Sequence, residues 1–132
     1  MTNEVYINKI AKFLPNNPIS NEEMEEYLGL IGDNPSKSKR IVLRNNGIKN
    51  RYYAITKNGT PTHTNAEMAA LAVKNLFGNN VDELKKVELL CCGTSAPDQM
   101  MPSHAVMVHG WLPESSAMEV ISPAGNCCSG MD

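Results

Sequence analysis

No apolar run in this 132-residue chain approaches the roughly 20 residues that a membrane-spanning helix requires. The first residues, Met1 to Lys9, lack the basic segment followed by an apolar core that marks a secretory signal. The cytoplasm is therefore the expected compartment, and a membrane is not an expected partner. A surplus of positive charge is missing too, with 12 Lys and Arg against 14 Asp and Glu. Nucleic acid and anionic membranes both select clustered basic residues, so neither is expected as a partner. The single basic stretch runs from Lys37 to Arg51 and holds Lys39, Arg40, Arg44 and Lys49 between its ends. It suffices for one anionic ligand or an acidic partner, and it reads equally as a solvated surface.

Spaced single cysteines, the mark of a small disulfide scaffold, are also absent. The four cysteines form two adjacent pairs, Cys91-Cys92 and Cys127-Cys128, and are expected to be reduced thiols. The C-x2-4-C spacing of structural zinc sites is missing, and none of the three histidines sits at a matching interval, so no metal is expected. Internal repeats and low-complexity segments are likewise not found. What remains, 42 % hydrophobic and 20 % charged, is the composition of one ordinary globular domain.

The pattern of elements suggests alternating strands and helices. Val5 to Phe13 alternates apolar residues with period two and predicts a strand ended by Pro15 and Pro18. Ser20 to Glu23 offers a capping box for a helix that stops at Gly29. Arg40 to Ile48 and Arg51 to Thr56 are too mixed to assign, and Asn58-Gly59 marks a turn. Thr64 to Glu67 is a second capping box, opening a helix with Met68, Leu71, Ala72 and Leu76 on one face and Gly78 at its end. The run Val87 to Cys92 predicts a strand buried on both faces in a parallel sheet. Pro102-Ser103 opens a helix closed by Pro113, and Ala117 to Ile121 is a further strand. Gly125 to Gly130 stands where another helix could begin. Alternation of this kind predicts an α/β layered fold.

A cysteine placed after a strand, at the first turn of a helix, meets unpaired N–H groups and a partial positive charge. Both favour the thiolate and can hold a developing oxyanion. Cys128 is thus the candidate nucleophile, with small Ser129 and Gly130 beside it; the plain alternative is a packing thiol, since free cysteine is among the most buried residues. Cys127 reads as a packing neighbour, and Cys91 and Cys92 as core. His104 and His109, five apart on one helix, point in different directions, and His63 is expected in solvent. None has a spacing that announces a base for Cys128.

Six segments in order resemble the N-terminal part of the β-ketoacyl-acyl-carrier-protein synthase III family, which has the thiolase fold. They are Val5 to Pro15; Ser20 to Leu28; Arg44 to Arg51, similar to an Arg-Thr-Gly-Ile-x-x-Arg signature; Thr64 to Leu76; Leu90 to Pro102, similar to a strand ending in Thr-Ser-x-Pro; and Asn126-Cys127-Cys128-Ser129-Gly130, similar to an Ala-Ala-Cys-Ser-Gly active-site turn. The resemblance implies a thiolase-like α-β-α-β-α layered fold, present as its N-terminal half only. Its mixed sheet would have a buried helix that starts at the nucleophile. Residues 1–132 are then one domain ending just after the active-site cysteine, with the C-terminal half absent.

The resemblance further implies decarboxylative Claisen condensation in fatty acid or related lipid or polyketide biosynthesis. Cys128 would take an acyl group as a thioester, and a malonyl thioester on acyl carrier protein would condense with it. The family's His and Asn belong to the C-terminal half, so the chain alone is expected to be inactive. Met101 falls where the family reaches across a homodimer into the partner's acyl pocket, and Arg44 at the thioester or carrier entrance. No cofactor is implied beyond substrate thioesters of carrier protein or coenzyme A. Where many members stack a Trp on the adenine of coenzyme A this chain has Ile41, and Asn45 replaces a neighbouring Arg, so a carrier-borne donor is as well supported as coenzyme A. Two rival readings stand beside this one: a non-catalytic thiolase-like partner subunit or binding module, and a self-sufficient thiol enzyme using His104 or His109.

Overall fold

The computed structural model describes residues 4–123. Nine elements form in the order β1 (Ile19–Ser20), α1 (Met24–Leu28), α2 (Lys39–Asn46), β2 (Asn50–Arg51), α3 (Asn65–Phe77), α4 (Val81–Leu84), β3 (Leu89–Cys91), α5 (His104–Gly110) and β4 (Glu119–Ile121) among those residues. They divide into two units, Leu14–Thr64 and the flanking Met1–Phe13 with Asn65–Asp132.

In the unit Leu14–Thr64, β1 and β2 pair antiparallel, with Ile19 opposite Arg51 and Ser20 opposite Asn50. The capping box read from the sequence closes as expected. Ser20 N donates to Glu23 Oε2 at 3.1 Å, and Glu23 N donates to Ser20 Oγ at 3.3 Å. Ser20 Oγ also donates to Glu23 Oε2 at 2.8 Å, and this bond, followed by that from Ser20 N, holds the Glu23 carboxyl below its ordinary value. Helix α1 then ends at Gly29, whose φ of 80° a side chain would resist. Helix α2 occupies the stretch left unassigned by sequence. Its end is set by Gly47 in the left-handed region, whose N–H donates to Leu43 O at 3.2 Å. Lys39 at its start pairs with Glu25 at 3.0 Å. Asn16, itself left-handed, donates through Nδ2 to Tyr53 O at 2.7 Å and Thr62 Oγ1 at 2.9 Å. The turn at Asn58-Gly59 forms as read, with Thr56 N donating to Thr60 O at 2.9 Å.

The other unit is built on two parallel strands. Leu89, Leu90 and Cys91 of β3 lie opposite Glu119, Val120 and Ile121 of β4. Helix α5 connects them and packs on both, and α3 packs on α5. The core gathers Ala66 and Ala70 of α3, Leu90 of β3, and Val108 and Leu112 of the α5 segment. The buried face of α3 is therefore the alanine face, with Ala69 and Val73 also packed against the core, rather than the face of Met68, Leu71, Ala72 and Leu76. Alanines let two helices approach closely, and only that side of α3 meets α5.

Two strand expectations need correction. Val5 to Phe13 has no strand structure, and Val5, Ile7 and Ile10 are more than 80 % exposed. Alternation suits a strand, but a strand exists only where another edge accepts its hydrogen bonds. The segment is instead tied down by Lys9 to Glu83 and by Lys12 O, which accepts from Asn75 Nδ2 at 3.0 Å. Strand β3 is parallel as expected but covered on one side only: Leu90 is buried while Leu89 and Cys91 are exposed. Cys91 is thus not a core thiol. Among the described residues no helix is long and apolar enough to cross a membrane.

Candidate active-site cleft

Beyond the C-terminal ends of β3 and β4 the chain passes into two loops, and this edge of a parallel sheet is where open α/β folds place their ligands. The loop after β3 is fixed by side-chain chemistry. Asp98 accepts from the N–H groups of Asn65 at 2.7 Å and Ala66 at 2.8 Å, so its carboxylate satisfies two of the orphan donors that open α3. Asn65 reciprocates through Nδ2, which donates to Thr94 Oγ1 at 3.1 Å and to Ala96 O. Ala96 N also donates to Thr94 Oγ1, at 3.2 Å. Residues 94–98 are in this way latched onto the start of α3.

On the β4 side, Ser122 Oγ accepts from Ala105 N at 2.7 Å, tying the strand's exit to the first turn of α5. The cleft enclosed here has a volume of about 270 Å³. Its polar walls come from Thr94, Gln99, Ser103, His104 and Ser122, and its apolar walls from Pro97, Met100 and Pro123. Cys92 also reaches it, half-buried, and burial followed by the neighbouring Cys91 pushes that thiol from its ordinary 9.0 up to about 11. A thiol so shifted is almost wholly protonated near neutrality and is no nucleophile there.

The residues singled out from sequence divide. Cys128, with Cys127, lies outside the described residues; in the sequence it follows β4. Met101 precedes a cis bond to Pro102 and is 84 % exposed. Its neighbour Met100, which sequence reading passed over, is the methionine that lines the cleft. Arg44 is exposed in the last turn of α2, as are Ile41 and Asn45, whereas Lys39 is held by Glu25 and Arg51 by Asn21 Oδ1. Of the basic stretch, Lys37, Arg40, Arg44 and Lys49 are exposed and open to an acidic partner.

The histidines also separate. His109 Nε2 donates to Ser116 O at 3.4 Å and is half-buried. His63 is half-buried rather than in solvent, with Nδ1 3.0 Å from Thr62 Oγ1. His104 is 6 % exposed and lines the cleft, and its Nδ1 is sealed without a hydrogen-bond partner. The five-residue spacing could separate the two imidazoles of α5, but their different surroundings depend on Ser116 and on the cleft. Among the described residues no three His, Cys, Asp or Glu side chains gather as a metal site would require.

No family model matches the chain. It is 30 % identical over 104 residues to β-ketoacyl-[acyl-carrier-protein] synthase III 1 of Deinococcus radiodurans, covering 79 % of this chain and 27 % of the relative. It is 24 % identical over 124 residues to the synthase III of Lactococcus lactis subsp. cremoris, covering 94 % and 34 %. Among solved structures, a tetronic acid condensing enzyme superposes with a TM-score of 0.66 at 23 % identity over 90 % of this chain and 35 % of that one. The synthase III of Thermus thermophilus superposes with a TM-score of 0.67 at 20 % identity, over 93 % and 34 %. The parallel β3–α5–β4 unit and its flanking helices are accordingly part of a thiolase-like α/β fold. In sequence the chain is similar to β-ketoacyl-[acyl-carrier-protein] synthase III proteins. It spans about a third or less of the length of the relatives it matches.

Proposed function

We propose that this chain is part of a condensing acyltransferase in which Cys128 is the acyl-carrying nucleophile. The similarity to synthase III sequences over as much as 94 % of the chain carries the reading, together with the Cys-Ser-Gly at residues 128–130. Cys128 Sγ attacks the carbonyl of an acyl thioester, forming acyl-Cys128 and expelling the donor thiol, which takes up the proton. A malonyl thioester on acyl carrier protein then loses carbon dioxide. The resulting carbanion attacks the acyl-Cys128 carbonyl, making the new carbon–carbon bond and returning the Cys128 thiolate. The His and Asn that bind the thioester carbonyl and assist decarboxylation in the resembling family are supplied by sequence outside these residues.

Cytoplasmic location, a homodimer, an acidic carrier meeting Lys37, Arg40 and Arg44, and a role for Met101 at the acyl pocket belong to the same proposal. The exposed position of Met101 suits contact with another subunit. Intact-mass measurement of the full-length protein, with the segment that supplies the His and Asn, is expected to show one hexanoyl adduct after incubation with hexanoyl-N-acetylcysteamine, absent in Cys128→Ala. Condensing activity retained alongside an unmodified Cys128 would overturn the assignment, and loss of both would favour the non-catalytic partner subunit.

A further inference from the structure

Beside Gln99 and Ser103 on the rim, three polar groups of the cleft beyond β3 and β4, those of Thr94, Ser122 and His104, each have a hydrogen to give. Thr94 Oγ1 already accepts from Asn65 Nδ2 and Ala96 N, so its lone pairs are engaged, and its own O–H goes to no described residue. Ser122 Oγ accepts from Ala105 N and gives its hydrogen to no described residue. His104 completes the set through its tautomer. A buried N–H without a partner is rarer and costlier than a buried acceptor without one. Sealed and unpartnered, Nδ1 is therefore the bare nitrogen, and the proton sits on Nε2. Among the described lining residues there is no Lys or Arg, and Pro97, Met100 and Pro123 supply apolar surface.

A cleft with these donors, apolar walls and no cation among its described residues suits a neutral oxygen acceptor on an apolar chain rather than a carboxylate or phosphate. We infer that this cleft selects acyl chains carrying an in-chain carbonyl oxygen, read by His104 Nε2–H with the hydroxyls of Thr94 and Ser122. His104 is then a specificity-determining residue. The inference rests on the acyl-transfer reading for the identity of the ligand, and on the donor set for its selectivity.

The test uses a panel of octanoyl-N-acetylcysteamine thioesters, plain or with a ketone at carbon 4, 5, 6 or 7, on the protein with imidazole nitrogens labelled with ¹⁵N. Dissociation constants and the His104 ¹⁵N shifts are read together. Wild type is expected to show the Nε2–H tautomer and to bind at least one oxo-thioester about tenfold more tightly than the plain thioester. His104→Phe, which fills the space without a donor, removes the preference. His104→Gln, which restores an N–H donor, recovers part of it. Equal affinities across the panel, no binding of any member, an Nδ1–H tautomer, or a preference that survives His104→Phe each overturn the inference. Adducts on Cys128 without oxo preference sink the selectivity alone, and oxo preference without any adduct sinks acyl transfer alone.

Discussion

At the scale of single residues, the cysteine pair at the end of β3 illustrates how far local sequence carries. Two neighbours in a strand point to opposite faces, so Cys91 and Cys92 could not share one environment once the sheet had a covered and an open side. An apolar run cannot say whether both sides are covered, and Cys91 was misread as core for that reason. Their reactivities are expected to differ. Burial holds Cys92 near 11 against an ordinary 9.0, which lowers its thiolate fraction at pH 8 by roughly one to two orders of magnitude. Brief alkylation with iodoacetamide at pH 8 followed by peptide mass spectrometry should label exposed Cys91 well before Cys92. Faster labelling of Cys92 would contradict the burial described here. His104 shows the converse limit: the sequence places it on a helix, and only the cleft distinguishes it from His109.

Among the elements, those whose signals are local were legible. The box of Ser20 and Glu23, the turn at Gly59 and the stop of α3 at Gly78 all lie within a few residues of what they determine. Helix α2 was hidden because basic, apolar and amide residues mix along it, leaving Gly47 as its one clear mark. The Val5 to Phe13 segment failed because pairing depends on an edge elsewhere in the chain. The Asp98 latch was equally invisible, since its acceptor lies 33 residues from Asn65 and 32 from Ala66. Replacing Asp98 with Ala should cost about 1–2 kcal/mol, as loss of a charged helix cap does. Urea unfolding would read this, with Asp98→Asn intermediate because its single oxygen still accepts. A wild-type midpoint in Asp98→Ala would remove the latch from the account of the cleft.

For the whole molecule, the parallel α/β character and its thiolase-like class were legible from alternation and motif order, whereas the extent of burial was not. Val5, Ile7 and Ile10 present large apolar side chains to solvent, and Met100 and Met101 do so near the cleft. Exposed apolar side chains in such numbers favour association. Sedimentation velocity of these 132 residues is expected to show species that grow with concentration, shifted toward monomer in a Val5→Ser, Ile7→Ser, Ile10→Ser variant. A monodisperse monomer across that range would contradict the expectation. The division of the chain also governs the order in which it can assemble. Leu14–Thr64 interrupts the other unit, so Lys9 reaches Glu83 across 74 residues and Lys12 reaches Asn75 across 63. By bonding Tyr53 O and Thr62 Oγ1, Asn16 draws that interruption's own ends together. The closure left to the surrounding unit becomes that of roughly 20–30 residues, a saving of about 1 kcal/mol in chain entropy. During synthesis the inserted segment would therefore act as a splint, folded before the residues it brings together have all emerged.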